Sequence, residues 1–361
     1  MLAMIVKEFR QLKRDKRTLA MLVALPVLLL VVFGYAANFH VSTIPTVVVG
    51  PQAEQIATHL PPLFQVVDVD SDAGKSLVES RLQDGKAVVG LVTGQNSILA
   101  LMDGTQTFSV EAAESALANM PRGSAADETP VLTLKVEVLY NPSLKTSWIM
   151  IPGLTGLILL MIGTLITSLG IVRERQAGTI EQLAVMPFRP SDVIIGKIAP
   201  YLLLASVDLV AIVAIGLALF GVPFVGSVPI FALGAIVFLL VTLGMGVLIS
   251  TVSQNQGQAV QLALMFVIPQ ILLSGLIFPI SLMARSIQWI AYVLPLSYFI
   301  EISRGVMLKA TPMSSLWVPI VVLAGMATLV LGLAVLRFRR DLAPSVRGNA
   351  SARPVAEPVS S

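Results

Sequence analysis

Six apolar runs, each long enough to cross a bilayer as a helix, dominate this sequence: about Thr18–Ala37, Trp148–Val172, Ile198–Phe220, Val228–Ile249, Ala259–Ile280 and Trp317–Leu336. A span needs roughly 20 apolar residues, because lipid offers no partner to backbone N–H and C=O groups and a helix satisfies them internally. The chain of 361 residues is 55% hydrophobic and 12% charged, whereas soluble domains carry about 25% charged residues. The expected fold is therefore that of a membrane protein with an all-α transmembrane domain of six helices.

Charge sets the expected orientation. Lys7, Arg10, Lys13, Arg14, Lys16 and Arg17 precede the first run, and Arg337, Arg339 and Arg340 follow the last. The positive-inside rule then puts both termini in the cytoplasm, which an even number of crossings requires. Within residues 1–17, Leu2, Ile5, Val6, Phe9 and Leu12 recur at helical spacing opposite Lys and Arg, the pattern of an amphipathic helix lying in the cytoplasmic interface; a solvated basic tail is the alternative. Anionic lipid accounts for that charge, so no nucleic-acid partner is expected. The first run with Tyr35-Ala-Ala37 also has the outline of a cleaved signal peptide, but its length and the agreement of the two ends favour a retained anchor at 18–37. The tail 341–361 is rich in Pro, Ser and Ala and is expected to be disordered.

The polar insert at 38–147 carries most of the acidic residues. From His40 to Lys145 there are 12 acidic and 6 basic residues, a net of −6, so with +3 overall the rest of the chain carries +9. Strand-like runs at Thr46–Val49, Gln65–Val69, Ala87–Val92, Ile98–Met102 and Leu132–Tyr140 alternate with helical patterns at Glu54–Leu60, Ser76–Gln83 and Phe108–Met120, with breaks at Asp84-Gly85 and Asp103-Gly104. An extracytoplasmic α/β domain is expected, with 121–130 as a flexible loop. Asp68, Asp70 and Asp72 alternate along a strand end without the later Gly and Glu of a calcium loop. Cysteine is absent and histidine occurs only at His40 and His59, which leaves no thiol chemistry and too few ligands for a histidine metal site. No catalytic residues are expected.

Between the second and third runs, Ile171–Tyr201 is polar and carries Arg173, Arg175, Arg189 and Lys197, which places it in the cytoplasm. Thr179 can cap a helix and Gln182 can reach back to it. Ile180 and Leu183 share a face fit for a groove in a soluble partner, with Glu181 and the arginines fixing orientation. A loop that only snorkels at the membrane surface is the alternative, and Glu174 and Glu181 argue against it because anionic lipid repels them. Later, Ser274-Gly275 and Pro279 interrupt the fifth run, and Ile287–Leu296 is too short to span. Residues 278–309 therefore read as a re-entrant or interfacial helical hairpin, with Trp289, Tyr292 and Tyr298 at belt height and a Glu301–Arg304 pair at helical spacing. Asp208, an acid well inside a predicted span, faces either a cationic substrate or a neighbouring helix. Gly163, Gly170, Gly244 and Gly246 permit close helix approach.

These landmarks resemble, in order, the permease subunits of type-2 ATP-binding-cassette (ABC) exporters: Tyr140-Asn-Pro142, Ile151-Pro-Gly153, Arg173-Glu-Arg175 with Gly178-Thr179 and Glu181-Gln-Leu183, Pro187, Gly196-Lys197, Ser274-Gly-Leu-Ile-Phe-Pro279, Pro295-Leu-Ser-Tyr298 and Arg304-Gly305. Gln176 departs from the pattern, where an acidic residue is common. The resemblance implies that 173–197 holds a coupling helix contacting a nucleotidase through Arg173, Glu174, Arg175, Gly178, Thr179, Ile180, Glu181 and Leu183. It further implies an outer gate at Ser274, Gly275, Pro279, Pro295, Tyr298, Glu301 and Arg304, with Asp208 on the substrate path. The large insert is similar to that of the branch linked to drug-like or lipid-like cargo. No G-x-x-x-x-G-K-[ST] run is present, so ATP and Mg would be bound by a separate ATP-binding subunit and no cofactor by this chain. A second permease copy or paralogue would complete the path in a bacterial inner membrane, with room for an envelope adaptor. Two other classes compete. An ion-coupled secondary transporter would carry internal repeats and several intramembrane ionisable groups. A receptor or assembly factor would carry a cytoplasmic signalling domain.

Overall fold

In the computed structural model, the described residues are 43–94, 97–118, 133–178, 190–277, 279–280 and 283–342. The first apolar run, the basic segment before it, residues 179–189 and the tail from 343 lie outside them.

The polar insert folds as a three-layer α/β domain. Its strands are β1 (Ile44–Val49), β2 (Phe64–Asp70), β3 (Val89–Thr93), β4 (Ser97–Asp103) and β5 (Thr133–Leu139), in the sheet order β2-β1-β3-β4-β5. Only β3 and β4 are antiparallel, because only they are joined by a short hairpin; the parallel pairs need crossovers. Helices α1 (Ala53–His59), α2 (Lys75–Gln83) and α3 (Thr107–Ala118) supply these crossovers. The sheet buries both faces. Ile44, Val48, Phe64, Leu91, Met102 and Val110 form one core, and Val47, Val49, Val78, Leu82 and Leu101 the other. Helix α2 comes so close to β3 that only glycine fits at Gly90, whose added Cβ would meet Val78 Cγ1 at 1.9 Å.

The remaining chain is helical. Helix α4 (Thr146–Met161), a π-helical turn (Ile162–Ile166) and α5 (Thr167–Gln176) form one 31-residue rod. Then follow α6 (Pro190–Phe220), α7 (Val228–Val252), α8 (Gln256–Leu273), α9 (Arg285–Ala291), α10 (Pro295–Lys309) and α11 (Met313–Leu342). Five of these are long and apolar enough to cross a membrane: Thr146–Gln176, Ile194–Phe220, Val228–Val252, Gln256–Leu273 and Met313–Arg337. Helix α7 is the central post. Phe238 stacks on Phe299 of α10 at 4.5 Å between ring centroids, inside a core shared with Leu159, Leu239 and Leu323.

The fifth run is shorter than its composition suggests. The expected span Ala259–Ile280 stops as a helix at Leu273. Gly275 takes φ +85° there, a left-handed conformation that glycine adopts without Cβ strain and that ends a helix. Where the hairpin is expected stand two helices, α9 and α10, bent by 77° to each other. Pro295 sits at the start of α10, where its missing N–H costs no helical bond.

Candidate functional site

Two polar clusters lie at opposite ends of the rod formed by α4, the π turn and α5. At the α5 end, Arg173 and Arg175 occupy the last turn, where cations offset the helix dipole. Arg173 Nε donates to Gln256 Oε1 at 3.2 Å, and Arg175 Nη1 donates to the carbonyls of Ser250 (3.0 Å) and Ser253 (3.3 Å). Gln256 Nε2 in turn donates to Gln176 Oε1 at 2.9 Å, so the departure at Gln176 supplies a neutral acceptor to the same seam. Glu174 pairs with Lys197 of α6. Asn255 caps α8 by accepting from the Gln258 N–H at 2.9 Å, which fixes the turn these arginines grip. Gly178, at φ +73°, closes α5. The arrangement holds the polar loop's start rigidly on the α7–α8 turn. Thr179, Ile180, Glu181 and Leu183 lie outside the described residues.

At the α4 end, Arg304 of α10 is the organiser. Its Nε donates to the Ile149 carbonyl at 3.1 Å, Nη1 to Gly275 O at 3.2 Å and Nη2 to Leu276 O at 3.3 Å. The expected Glu301–Arg304 pair does not form. The guanidinium turns inward to carbonyls freed where α8 breaks, while Glu301 is exposed. Ser303 Oγ adds a bond to Pro152 O at 3.2 Å, and Gln270 Oε1 accepts from Leu296 N–H at 3.1 Å. The predicted residues Gly275, Pro295 and Arg304 thus meet around this break, with Ser274 buried beside it and Pro279 half-buried. Tyr298 instead donates to Tyr292 O at 2.6 Å, bracing the α9–α10 bend.

A third cluster, absent from the sequence reading, joins the α/β domain to the end of α10. Lys309 forms a buried ion pair with Asp103 and donates to Leu82 O at 3.2 Å. Its ammonium lies 5.5 Å from the Tyr140 ring centre. Burial, then the carboxylates of Asp103, Glu79 and Asp84, push the Tyr140 hydroxyl up to about 12. Gln83 Nε2 donates to Lys309 O (2.8 Å) and Ala310 O (3.1 Å), while Thr311 and Ser315 donate to Gln83 O and Asp84 Oδ1 at 3.2 and 2.6 Å. The only signals were Asp103-Gly104, which reads as a turn, and a lysine closing an apolar helix.

Asp208 lies half-buried on α6, flanked by the outward-facing Leu204, Val207 and Val210. An apolar cleft of about 510 Å³ opens between α7, α8 and α11, lined by Met245, Leu248, Met265, Phe266 and Leu333 with Arg337 at its edge. Among the described residues no group of three or more His, Cys, Asp or Glu side chains could hold a metal.

Comparison with known proteins gives a consistent set. The profile described as ABC-2 family transporter protein matches residues 16–336. The probable multidrug ABC transporter permease YbhS of Escherichia coli is 29% identical over 94% of this chain and 97% of its own length. YbhR of the same organism, also called a probable multidrug ABC transporter permease, is 33% identical over 51% of this chain and 50% of its own. ABC transporter G family member 20 of Dictyostelium discoideum is 27% identical over 57% of this chain and 29% of its own.

Proposed function

The chain belongs to the ABC-2 transporter family as the permease subunit of an ABC exporter, and we propose that it carries amphipathic, drug-like or lipid-like molecules out of the cytoplasm or the inner leaflet. It is a multi-pass membrane protein, and its family implies an ATP-binding partner subunit. On this reading that partner binds ATP and Mg and does the hydrolysis, and a second permease copy or paralogue completes the path. The membrane is the bacterial inner membrane, both termini are cytoplasmic and the α/β domain is outside.

The observation that carries the coupling role is the seam of Arg173, Arg175 and Gln176 on the α7–α8 turn. Force applied to the loop just beyond Gly178 enters four spans together: α5 directly, α6 through Glu174 and Lys197, and α7 and α8 through their turn. Ile180, Glu181 and Leu183 are the proposed docking residues. The apolar cleft edged by Arg337 supports an amphipathic cargo, and the name of YbhS, a probable multidrug permease, points the same way. Asp208 is proposed to face the path.

The test is to purify the complex and reconstitute it into sealed proteoliposomes. A nucleotidase should accompany the chain, and Glu181→Arg with Leu183→Asp should abolish both its retention and ATP-driven dye efflux. Normal retention and efflux in that double variant would remove the coupling assignment. In the same efflux assay, Asp208→Asn should slow a cationic dye more than a neutral one; equal rates for both would take Asp208 off the path.

A further inference from the structure

We propose that the α/β domain is locked to α10 and the start of α11 as one rigid body, with Asp103 and Lys309 as the positioning residues of the lock. The domain then moves with the hairpin during transport instead of hinging against it.

Polar groups from both sides are committed across the junction. Lys309 is 9% exposed and Asp103 2%. The ammonium's partners are the Asp103 carboxylate, the Leu82 carbonyl and the Tyr140 ring, all from the α/β domain. Asp103 is held ready for it, because its Oδ1 accepts from the N–H and Oγ1 of Thr105 at 3.0 and 2.7 Å while Oδ2 takes the lysine. On the other side Ala310 turns left-handed at φ +50°. That turn ends α10 and leaves the carbonyls of Lys309 and Ala310 free of helical partners, and Gln83 takes both. Thr311, in the link before α11, and Ser315, in its first turn, return two bonds to Gln83 and Asp84.

This junction resists partial opening. Pulling Lys309 from Asp103 strands two charges in a site already stripped of water, where an unpaired ion is far costlier than the pair. The Gln83, Thr311 and Ser315 bonds cross the same seam, so they break together or not at all. A hinge is expected at junctions with few buried contacts, and this one has the opposite character. The domain has a second anchor at Asn141, which ties Gly104 to the start of α4 through bonds to Gly104 O (3.3 Å), Lys145 O (3.2 Å) and Lys145 N–H (2.9 Å).

The consequence for transport rests on the permease reading, whereas the attachment itself can be measured without it. The chain has no cysteine, so Asp84→Cys with Ser315→Cys gives a unique pair in it across the seam, at the loss of their own bond and with those of Lys309 and Gln83 kept. In the assembled complex, a short reducible dithiol-reactive reagent should link the pair at rates within about twofold with and without ATP and vanadate, and the linked complex should keep ATP-driven efflux of a cationic bis-benzimide dye within about twofold. A tenfold fall in linking rate in either state would overturn the proposal, as would efflux lost on linking and regained on reduction. Lys309→Met should lower dye efflux per ATP hydrolysed by about tenfold, and linking the cysteine pair in that background should restore it. Native efflux in Lys309→Met, or no recovery on linking, would also overturn it. Should Lys309→Met fail to accumulate, the cysteine pair in the otherwise native chain decides. Absence of a nucleotidase or of dye efflux would count against the permease reading, and the linking rates would still test the lock.

Discussion

Arg304 offers the sharpest test of how the break after α8 is held. Replacing it by methionine keeps the volume and removes donors from three carbonyls, those of Ile149, Gly275 and Leu276. A hydrogen bond from a charged donor is worth about 1.5–3 kcal/mol, so three would amount to roughly 5–9. Two effects reduce this: the native side chain loses hydration when it is inserted, and methionine packs well. A net loss of about 2–4 kcal/mol remains. For a chain of this size that is a fall of roughly 3–5 °C in the unfolding midpoint. Lysine is the informative second variant. One ammonium cannot reach carbonyls on both α4 and the α8 break, because it lacks the planar fork. Arg304→Lys should therefore lie nearer Arg304→Met than the native chain. The midpoint is read by fluorescence-detected size exclusion after heating in detergent, with dye efflux measured in parallel. A native midpoint in Arg304→Met, or native behaviour in Arg304→Lys, would refute the claim that the guanidinium fork holds this break.

Two glycine positions should respond in opposite directions. At Gly246 an added Cβ would meet Thr167 Cβ at 2.7 Å and the carbonyl oxygens of Gly163 and Thr164 at 2.9 Å, and backbone cannot step aside; Gly246→Ala should cost about 1–3 kcal/mol and lower the same midpoint. Gly325 on α11 has open space around it, so Gly325→Ala should be neutral or raise the midpoint, since alanine is up to about 1 kcal/mol better in a helix. Asn141 is fully buried and makes three bonds at the start of α4; Asn141→Ala should cost about 1–3 kcal/mol, visible as faster hydrogen exchange at the Lys145 amide, with unchanged exchange there counting against the anchor.

The sequence reading anticipated the fold best where periodicity is local. All five strand runs and all three helical patterns of the insert match elements of the domain, because alternation and turn residues such as Asp84-Gly85 act over a few positions. Span limits were less legible. Apolar content continues past Leu273 to Ile280; Ser274-Gly275 reads as an interruption of that run, but hydropathy does not register the left-handed angle at Gly275 with which the helix ends. The π turn at Ile162–Ile166 has no distinguishing pattern, since its Gly163 and Thr164 among apolar residues repeat the kind of sequence seen at Thr155 and Gly156 of α4.

The functional clusters were harder to read for a common physical reason. Side-chain pairs leave traces in sequence as complementary charges at helical spacing, which is what suggested Glu301 with Arg304. The contacts that form are largely to main chain: Arg304 to Ile149, Gly275 and Leu276, Arg175 to Ser250 and Ser253, and Gln83 to Lys309 and Ala310. Any residue supplies a carbonyl, so the acceptor's identity leaves no mark. Apart from Ile149, in the first turn of α4, these carbonyls are available because a helix ends, at α8, α7 and α10 in turn, and each end frees acceptors that no intrahelical N–H can reach. Acceptors buried in protein or held at membrane depth need a partner from the protein, and here each break recruits a long cationic or amide side chain from a neighbouring element. The arginines that look like gate and coupling residues are thus first the cost of interrupting helices. Transport would use those interruptions as the places where a span changes direction, which is why the two roles fall on the same residues.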